Sequence, residues 1–167
     1  MFKRFAGEYG CLMASLPEEI ATMVRAYTAL IDGDDISEKE DESHVTIKYG
    51  IHTLNPDDVF RVVYPCGAAA ATLWGVSAFH NKDNIVLKID VTSEVLNFMN
   101  EAVTDVLACT DKWPVFQPHI TLAYLHHRPE NPFYYRKYFT GVFDGVRVVF
   151  RDFVYSGPDE QEHWLHL

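Results

Sequence analysis

The sequence has little that would build a membrane protein or a disulfide-stapled scaffold. No apolar run approaches the roughly 20 residues of a bilayer-spanning helix, and Met1 to Glu8 lead into no apolar signal-peptide core. Only three cysteines occur, widely spaced and without a CxxC pair, which argues against a disulfide framework or a cysteine-bound zinc site. We therefore expect a soluble, unsecreted protein of a reducing cytoplasm that makes no membrane contact.

Basic residues are also scarce. Fourteen Lys and Arg face 24 Asp and Glu, which gives a formal net charge of −10. A chain this acidic is repelled by long polyanions unless its cations gather on one face, so long nucleic acid is not an expected partner. A small anionic ligand needs only a few local donors, and one or two of the following residues are expected to supply them: Lys48, Lys88, Lys112, Arg128, Arg136 and Lys137.

Core-forming residues, in contrast, are plentiful. Of the 167 residues, 48% are hydrophobic and 14% aromatic, far more than a disordered chain carries. The length suits one domain, and no low-complexity linker divides it, so residues 1–167 are expected to form a single domain.

Three helices are predicted from apolar stripes and caps. Ser15 and Glu18 have the S-x-x-E spacing of a capping box before a stripe that reaches Ile31. Asn55 caps a short helix that closes near Tyr64, and Thr92 or Ser93 caps a third helix.

Alternating and β-branched segments predict the strands Glu8–Ser15, Gln117–Leu125, Val142–Tyr155 and Glu162–Leu167, and a hairpin of Thr72–His80 with Ile85–Val91. The acidic run Asp34–Glu42 and the His-, Pro- and Tyr-rich stretch Leu125–Lys137 are expected to be loops.

One short motif occurs twice. His44-Val45-Thr46-Ile47-Lys48-Tyr49 and His119-Ile120-Thr121-Leu122-Ala123-Tyr124 share the pattern H-[VI]-T-[IL]-x-Y. On a strand, residues two apart point to the same face, so each histidine lies beside its threonine while the apolar residues face the other way. A strand buried on both faces would not place His and Thr there, so the polar face indicates a cleft or a solvent face.

Two imidazoles across a cleft suit general acid–base catalysis, because one can accept a proton near neutral pH while the other donates one. Two threonine hydroxyls can donate hydrogen bonds to the oxygens of a phosphodiester between them. A single H-x-T on a strand is ordinary, and it is the second copy that favours a site. An alternative uses His44 and His119 with other histidines as metal ligands: His52, His80, His126 and His127. No HExxH or H-x-x-x-H spacing supports it.

The duplicated H-x-T, followed by apolar and aromatic residues, resembles the two-histidine (2H) phosphoesterases. The resemblance implies a bilobal α+β fold in which two antiparallel sheets with outer helices surround a central groove with approximate two-fold symmetry. It implies phosphodiester cleavage without a metal or other cofactor. Four residues match the catalytic positions of the family: His44, Thr46, His119 and Thr121.

Within that superfamily the chain is most similar to the bacteriophage anti-CBASS phosphodiesterases. The similarity rests on small size, the segment Glu42–Gly50, a tryptophan between the motifs and a short tail with Glu and Trp. It implies opening of cyclic di- or trinucleotides such as 3′,3′-cGAMP to linear nucleotides in the cytosol of an infected bacterium, by a monomer or weak oligomer. It implies base-clamping roles for Tyr9, Trp74 and Trp164, with Glu160 or Glu162 as a base-reading acceptor.

Two other functions stay open. The same four residues would serve a 2′,3′-cyclic phosphodiesterase or RNA end-processing enzyme, although such an enzyme would more naturally show a basic face. A non-catalytic protein that sequesters cyclic nucleotides would have no need for a paired acid and base.

Overall fold

The computed structural model describes residues 9–38, 43–110 and 115–167. Four α-helices occur in these ranges: α1 (Glu18–Thr28), α2 (Pro56–Val63), α3 (Glu94–Val106) and α4 (Asn131–Tyr138). The strands are β1 (Gly10–Ser15), β2 (Ile36–Glu38), β3 (His44–Ile51), β4 (Ala69–His80), β5 (Ile85–Thr92), β6 (His119–Leu125), β7 (Arg147–Phe150), β8 (Asp152–Ser156) and β9 (Glu162–His166). The predicted hairpin is β4–β5, and the predicted strand Val142–Tyr155 is two strands, β7 and β8.

The strands form one antiparallel sheet in the order β7-β4-β5-β6-β3-β1-β8-β9, with the short β2 also pairing with β6. Four strands lie on each side of a central seam between β6 and β3. Only one residue pair, Val45 with Ile120, is registered across that seam. The predicted α+β class and antiparallel, two-part architecture are confirmed, and the two parts are joined at the seam into a continuous sheet.

The main core lies on one face of the sheet, and Cys11, Met13 and Val154 form a smaller buried cluster separate from it. Val45 and Ile120 are fully buried in the main core, to which every described α-helix contributes a buried side chain, including Val24, Val59 and Met99. All four helices therefore cover the same face, on which the apolar motif residues lie. The opposite face, which we call the motif face, carries the side chains that alternate with Val45 and Ile120.

The caps of α2 and α3 are confirmed. The Asn55 side chain accepts a hydrogen bond from the Asp57 amide, and the Ser93 hydroxyl accepts one from the Leu96 amide. The capping box predicted for α1 is wrong, because Ser15 is the last residue of β1 and no side chain caps the helix at Pro17. Pro17 fixes its own φ and starts the helix without such a bond.

The expected loop between Leu125 and Lys137 is also wrong in part, since it contains all of α4 except its last residue. Tyr135 and Phe139 stand four residues apart and are both buried, so they share one helical face. The Tyr135 hydroxyl donates to Asp35 Oδ2 at 2.8 Å and accepts from the Asp32 amide at 3.0 Å. Tertiary contacts therefore fix a helix whose local sequence is only weakly amphipathic. Of the acidic run, 34–38 form a short turn and β2, while 39–42 lie outside the described residues.

None of the helices in the described ranges is both long enough and apolar enough to cross a bilayer.

Candidate functional site

The two motif strands have the same local structure. β3 and β6 share a burial pattern in which the His, the Thr and the Tyr are half-buried and the residues between them are buried. Each strand also has a bulge at the fourth motif position: the pairing with β1 skips Ile47, and the pairing with β5 skips Leu122. A bulge resets the alternation of side chains. Tyr49 and Tyr124 thereby return to the motif face.

The sheet register brings the two motifs together. Extending the antiparallel pair of Val45 and Ile120 by one residue in each direction sets Thr46 against His119 and His44 against Thr121. Side chains directly opposite one another in such a pair have Cβ atoms about 4.5–5.5 Å apart. All four predicted catalytic residues therefore lie side by side on the motif face, with each histidine facing the threonine of the other copy.

His119 is held in one ring orientation. Its Nδ1 lies 2.8 Å from the Gln117 carbonyl oxygen, and a carbonyl only accepts, so Nδ1 carries the proton and Nε2 of the neutral ring is free to accept one. Burial lowers the pKa of His119, and the positive charge of Lys88 lowers it further, while the Gln117 carbonyl and Asp90 act in the opposite direction. The Phe79 ring meets the imidazole edge-on at 5.9 Å.

A cation lies on the motif face beside the second motif. Lys88 pairs with Thr121 across β5 and β6, and Asp90 pairs with His119. Lys88 is 8% exposed, and its ammonium contacts Asp90 Oδ1, which also accepts a hydrogen bond from the Ser77 hydroxyl at 2.9 Å. Lys88 is one of the six cations named from the sequence as possible local donors, whereas Asp90 was not named from it as a site residue. The signal was the alternation Lys88-Ile89-Asp90 in the strand next to the motif.

Two of the predicted base-clamping residues lie on this face. Stepping from each residue to its partner on the next strand traces a single row across the sheet. It consists of Trp164, Val154, Met13, Thr46, His119, Asp90 and the bulge that contains Trp74. Trp74 is 49% exposed and Trp164 is 46% exposed. Taking about 4.8 Å per strand, Trp74 lies roughly 10 Å from the His119 backbone and Trp164 roughly 14 Å from the Thr46 backbone along the sheet.

Tyr9 lies at one margin of the motif face. Its ring stacks on His52 with centroids 4.9 Å apart and meets Tyr49 edge-on at 6.2 Å. His52 in turn hydrogen-bonds Thr110 through Nε2 at 2.6 Å. These contacts place Tyr9 next to the tyrosine of the first motif; its role in holding a base stays a prediction.

The two glutamates proposed as base-reading acceptors occupy different positions. Glu160 has a positive φ of 63° in the turn between β8 and β9, where its amide donates to the Gly157 carbonyl at 2.9 Å. Glu162 pairs with Ser156 and lies two residues before Trp164 on the same face of β9. Glu162 therefore shares the motif face with Trp164.

The remaining cations and histidines are dispersed. Arg128 pairs with Asp35 at 2.8 Å, Arg136 and Lys137 are exposed on α4, Lys48 is buried, and Lys112 is outside the described residues. His80 and His127 stack on one another at 6.0 Å. Within 9–38, 43–110 and 115–167, no three His, Cys, Asp or Glu residues are grouped as metal ligands would be.

No family model matches the chain, and no curated protein matches it by sequence. Several solved structures share its fold. Usb1 of Kluyveromyces marxianus has a TM-score of 0.60 at 12% identity, covering 98% of this chain and 100% of its own. A structure described only as a phosphoesterase has a TM-score of 0.56 at 11% identity, with 96% and 95% covered. LigT of E. coli complexed with 3′-AMP has a TM-score of 0.54 at 12% identity, also with 96% and 95% covered. These neighbours belong to the 2H phosphoesterase superfamily, and the chain has their fold.

Proposed function

We propose that the protein is a metal-independent phosphodiesterase that opens cyclic di- or trinucleotides such as 3′,3′-cGAMP, and that it serves a bacteriophage in evading CBASS immunity. The observation that carries the chemistry is the register at the seam, in which two H-x-T motifs 75 residues apart meet on one face of the sheet. The substrate class and the biological role rest on the similarity to the anti-CBASS enzymes.

The environment of His119 favours it as the general base. A depressed pKa keeps its imidazole neutral at pH 7, and Nε2 is the atom left to accept a proton. In this mechanism Nε2 takes the proton of a ribose 2′-hydroxyl, the 2′-oxygen forms a bond to the adjacent phosphorus, and the bond to the 5′-oxygen breaks. His44 gives its proton to the departing 5′-oxygen. The products are a 2′,3′-cyclic phosphate end and a 5′-hydroxyl, which together make a linear molecule.

The negative charge on the phosphoryl oxygens needs hydrogen-bond donors and positive charge nearby during this step. Thr46 and Thr121 donate hydrogen bonds to the non-bridging oxygens, and the Lys88 ammonium beside Thr121 supplies positive charge. Donors held in place before reaction stabilise developing charge without reorganising. Lys88 is held by Asp90, so its position is set in advance.

The exposed tryptophans favour a substrate with more than one base. Trp74 and Trp164 lie on opposite sides of the four motif residues in one row, so each can stack on a base while the phosphodiester lies between them. The net charge of −10 also favours a small substrate with few phosphates over a long RNA.

The alternative is a 2′,3′-cyclic phosphodiesterase or RNA end-processing enzyme. It is favoured by the solved complex of the structural neighbour LigT with 3′-AMP, a mononucleotide. The same four residues would then act on a terminal phosphate, and the tryptophans would hold flanking bases.

The test incubates the purified protein in EDTA with 3′,3′-cGAMP and follows the products by liquid chromatography and mass spectrometry. A new species of unchanged mass, or one heavier by a water molecule, that is absent with His44→Ala supports the proposal. Bound but unchanged substrate would indicate sequestration. No binding at all would overturn the proposal in favour of 2′,3′-cyclic phosphates and RNA ends, which are then assayed in the same way.

A further inference from the structure

An open depression of about 280 Å³ lies at the edge of the sheet where β5 ends and β6 begins, and it is lined by Pro118, the residue before His119, and by Asp90, the strand partner of His119. Asp90, Asn97, Phe116 and Gln117 are among the residues that line it. Its walls are fixed, because the Val91 amide donates to the Pro118 carbonyl at 3.0 Å and the Gln117 carbonyl accepts from His119. The depression is thus tied to the imidazole proposed as the base.

Asp90 contributes an oriented carboxylate to this depression. The Lys88 ammonium and the Ser77 hydroxyl both contact Oδ1, which fixes the orientation of the side chain. Oδ2 takes part in neither contact, and the Asp90 side chain is 43% exposed. A carboxylate oxygen accepts and never donates when ionised, so this wall of the depression offers an acceptor to an N–H group.

The other lining groups complement that acceptor. Asn97 and Gln117 are exposed and bring side-chain amides that can donate to a carbonyl. Phe116 is half-buried against the core and brings an aromatic ring on which a planar base can stack. An acceptor, amide donors and a ring surface match guanine, which has N–H donors at N1 and N2 and a carbonyl at O6. Adenine presents a single donor group, the N6 amino group, beside an acceptor at N1 that a carboxylate repels, so it matches this acceptor less well than the adjacent N1 and N2 donors of guanine.

We infer that the depression beside His119 is a nucleobase subsite that selects guanine. The inference rests on the proposed function, in which the substrate is a nucleotide. It adds a specificity for the base, which the H-x-T motifs do not provide. It places one guanine between Phe116 and the amides, with Asp90 Oδ2 accepting from its N–H edge, next to the phosphodiester held at His119.

The first experiment compares steady-state cleavage of 3′,3′-cyclic di-GMP and 3′,3′-cyclic di-AMP. A hydrogen bond to a charged acceptor is worth about a factor of ten or more, so KM for the adenine substrate is expected to be at least about tenfold higher. Asn97→Ala and Gln117→Ala should raise KM for the guanine substrate and leave kcat on both substrates unchanged. Asn81→Ala, in the turn of the β4–β5 hairpin, is the matched control and should change neither parameter.

The second experiment measures binding without turnover, so that the subsite and the proposed function can fail separately. 5′-GMP and 5′-AMP are titrated into the intact protein and into Asp90→Asn and Asn97→Ala, followed by NMR shifts. Tighter binding of 5′-GMP that each variant weakens about tenfold supports the subsite even if no cyclic dinucleotide is cut. Equal binding of the two nucleotides, a preference for 5′-AMP, or a 5′-GMP preference that both variants retain would overturn it.

Discussion

Thr46 lies opposite His119 across the seam of the sheet, one residue beyond the registered pair of Val45 and Ile120. Each histidine of the duplicated motif therefore faces the threonine of the other copy. In the proposed mechanism, a phosphodiester above the seam would meet an imidazole and a hydroxyl from each strand. In that mechanism the acid, the base and the donors are divided between the two halves of the sheet, so that neither half alone would form the site.

Replacement of either motif histidine is expected to abolish turnover. General acid–base catalysis by a positioned side chain contributes roughly 10²–10⁴-fold, so His44→Ala and His119→Ala should each lower kcat by at least about a hundredfold. The measurement is kcat on 3′,3′-cGAMP, with circular dichroism to show that the fold is intact.

The matched control for these variants is His126→Ala, since His126 is exposed and follows the end of β6, outside both H-x-T motifs. It should keep the rate of the unaltered protein. A near-normal rate in either motif variant would contradict the assignment.

Lys88 and Asp90 are expected to shift the pH profile in opposite directions. The positive charge of Lys88 lowers the pKa of His119 and the negative charge of Asp90 raises it. A base must be deprotonated, so kcat/KM should rise with pH through a pKa below the ordinary 6.5. Lys88→Met should move this rising limb to higher pH, because the lowering charge is gone. Asp90→Asn should move it to lower pH.

These shifts are measured as kcat/KM from pH 4.5 to about 8. Arg136→Met on α4 removes a cation from the other face of the sheet and serves as the charge control. Shifts of Lys88→Met and Asp90→Asn in the same direction would rule out the electrostatic explanation. Lys88→Met should also lower kcat itself, because it removes a cation beside Thr121.

Removal of an exposed tryptophan from the motif face is expected to weaken substrate binding more than catalysis. Stacking is worth about 1–3 kcal/mol per base, so Trp74→Ala and Trp164→Ala should each raise KM roughly fivefold to 150-fold with a small change in kcat. Phe98→Ala on α3, which is 58% exposed on another surface, should leave KM unchanged. If Phe98→Ala raised KM as much as the tryptophan variants do, loss of stacking at the site would not explain the increase in KM.

Gly50 at the end of β3 is expected to tolerate no side chain. Its φ is +91°, and a Cβ there would lie 2.1 Å from the Thr110 carbonyl oxygen. The Thr110 amide also donates to the Gly50 carbonyl at 2.8 Å, so the two backbones cannot easily separate. Strained φ alone costs about 1–3 kcal/mol, and the clash adds to it. Gly50→Ala should therefore lower the free energy of unfolding by more than about 2 kcal/mol.

Gly141→Ala separates the two causes in this prediction. Gly141 has a similar φ of +77° but open space around a new Cβ, so it should show the conformational cost without the clash. Urea denaturation of both variants measures the difference, and equal destabilisation would show that the Thr110 contact is unimportant.

Local patterns in the sequence predicted much of the fold. Caps at Asn55 and Ser93 and alternation in β5 depend on neighbours in the chain, so they are visible without tertiary information. The capping box at Ser15 failed because β1 continues to that residue and takes it into the sheet. The helix at Tyr135 was missed because buried contacts with Asp32 and Asp35, about a hundred residues away, stabilise it more than its own sequence does.

The sequence by itself determined which chemical groups the protein carries: two H-x-T copies, each with a polar face, on a chain of net charge −10. Only the tertiary structure decided how those groups meet. The seam register sets Thr46 against His119, the bulges at Ile47 and Leu122 return the tyrosines to the motif face, and β5 brings Lys88 and Asp90 beside the second motif. The physical reason is that strand order and register are long-range properties, whereas side-chain alternation is local.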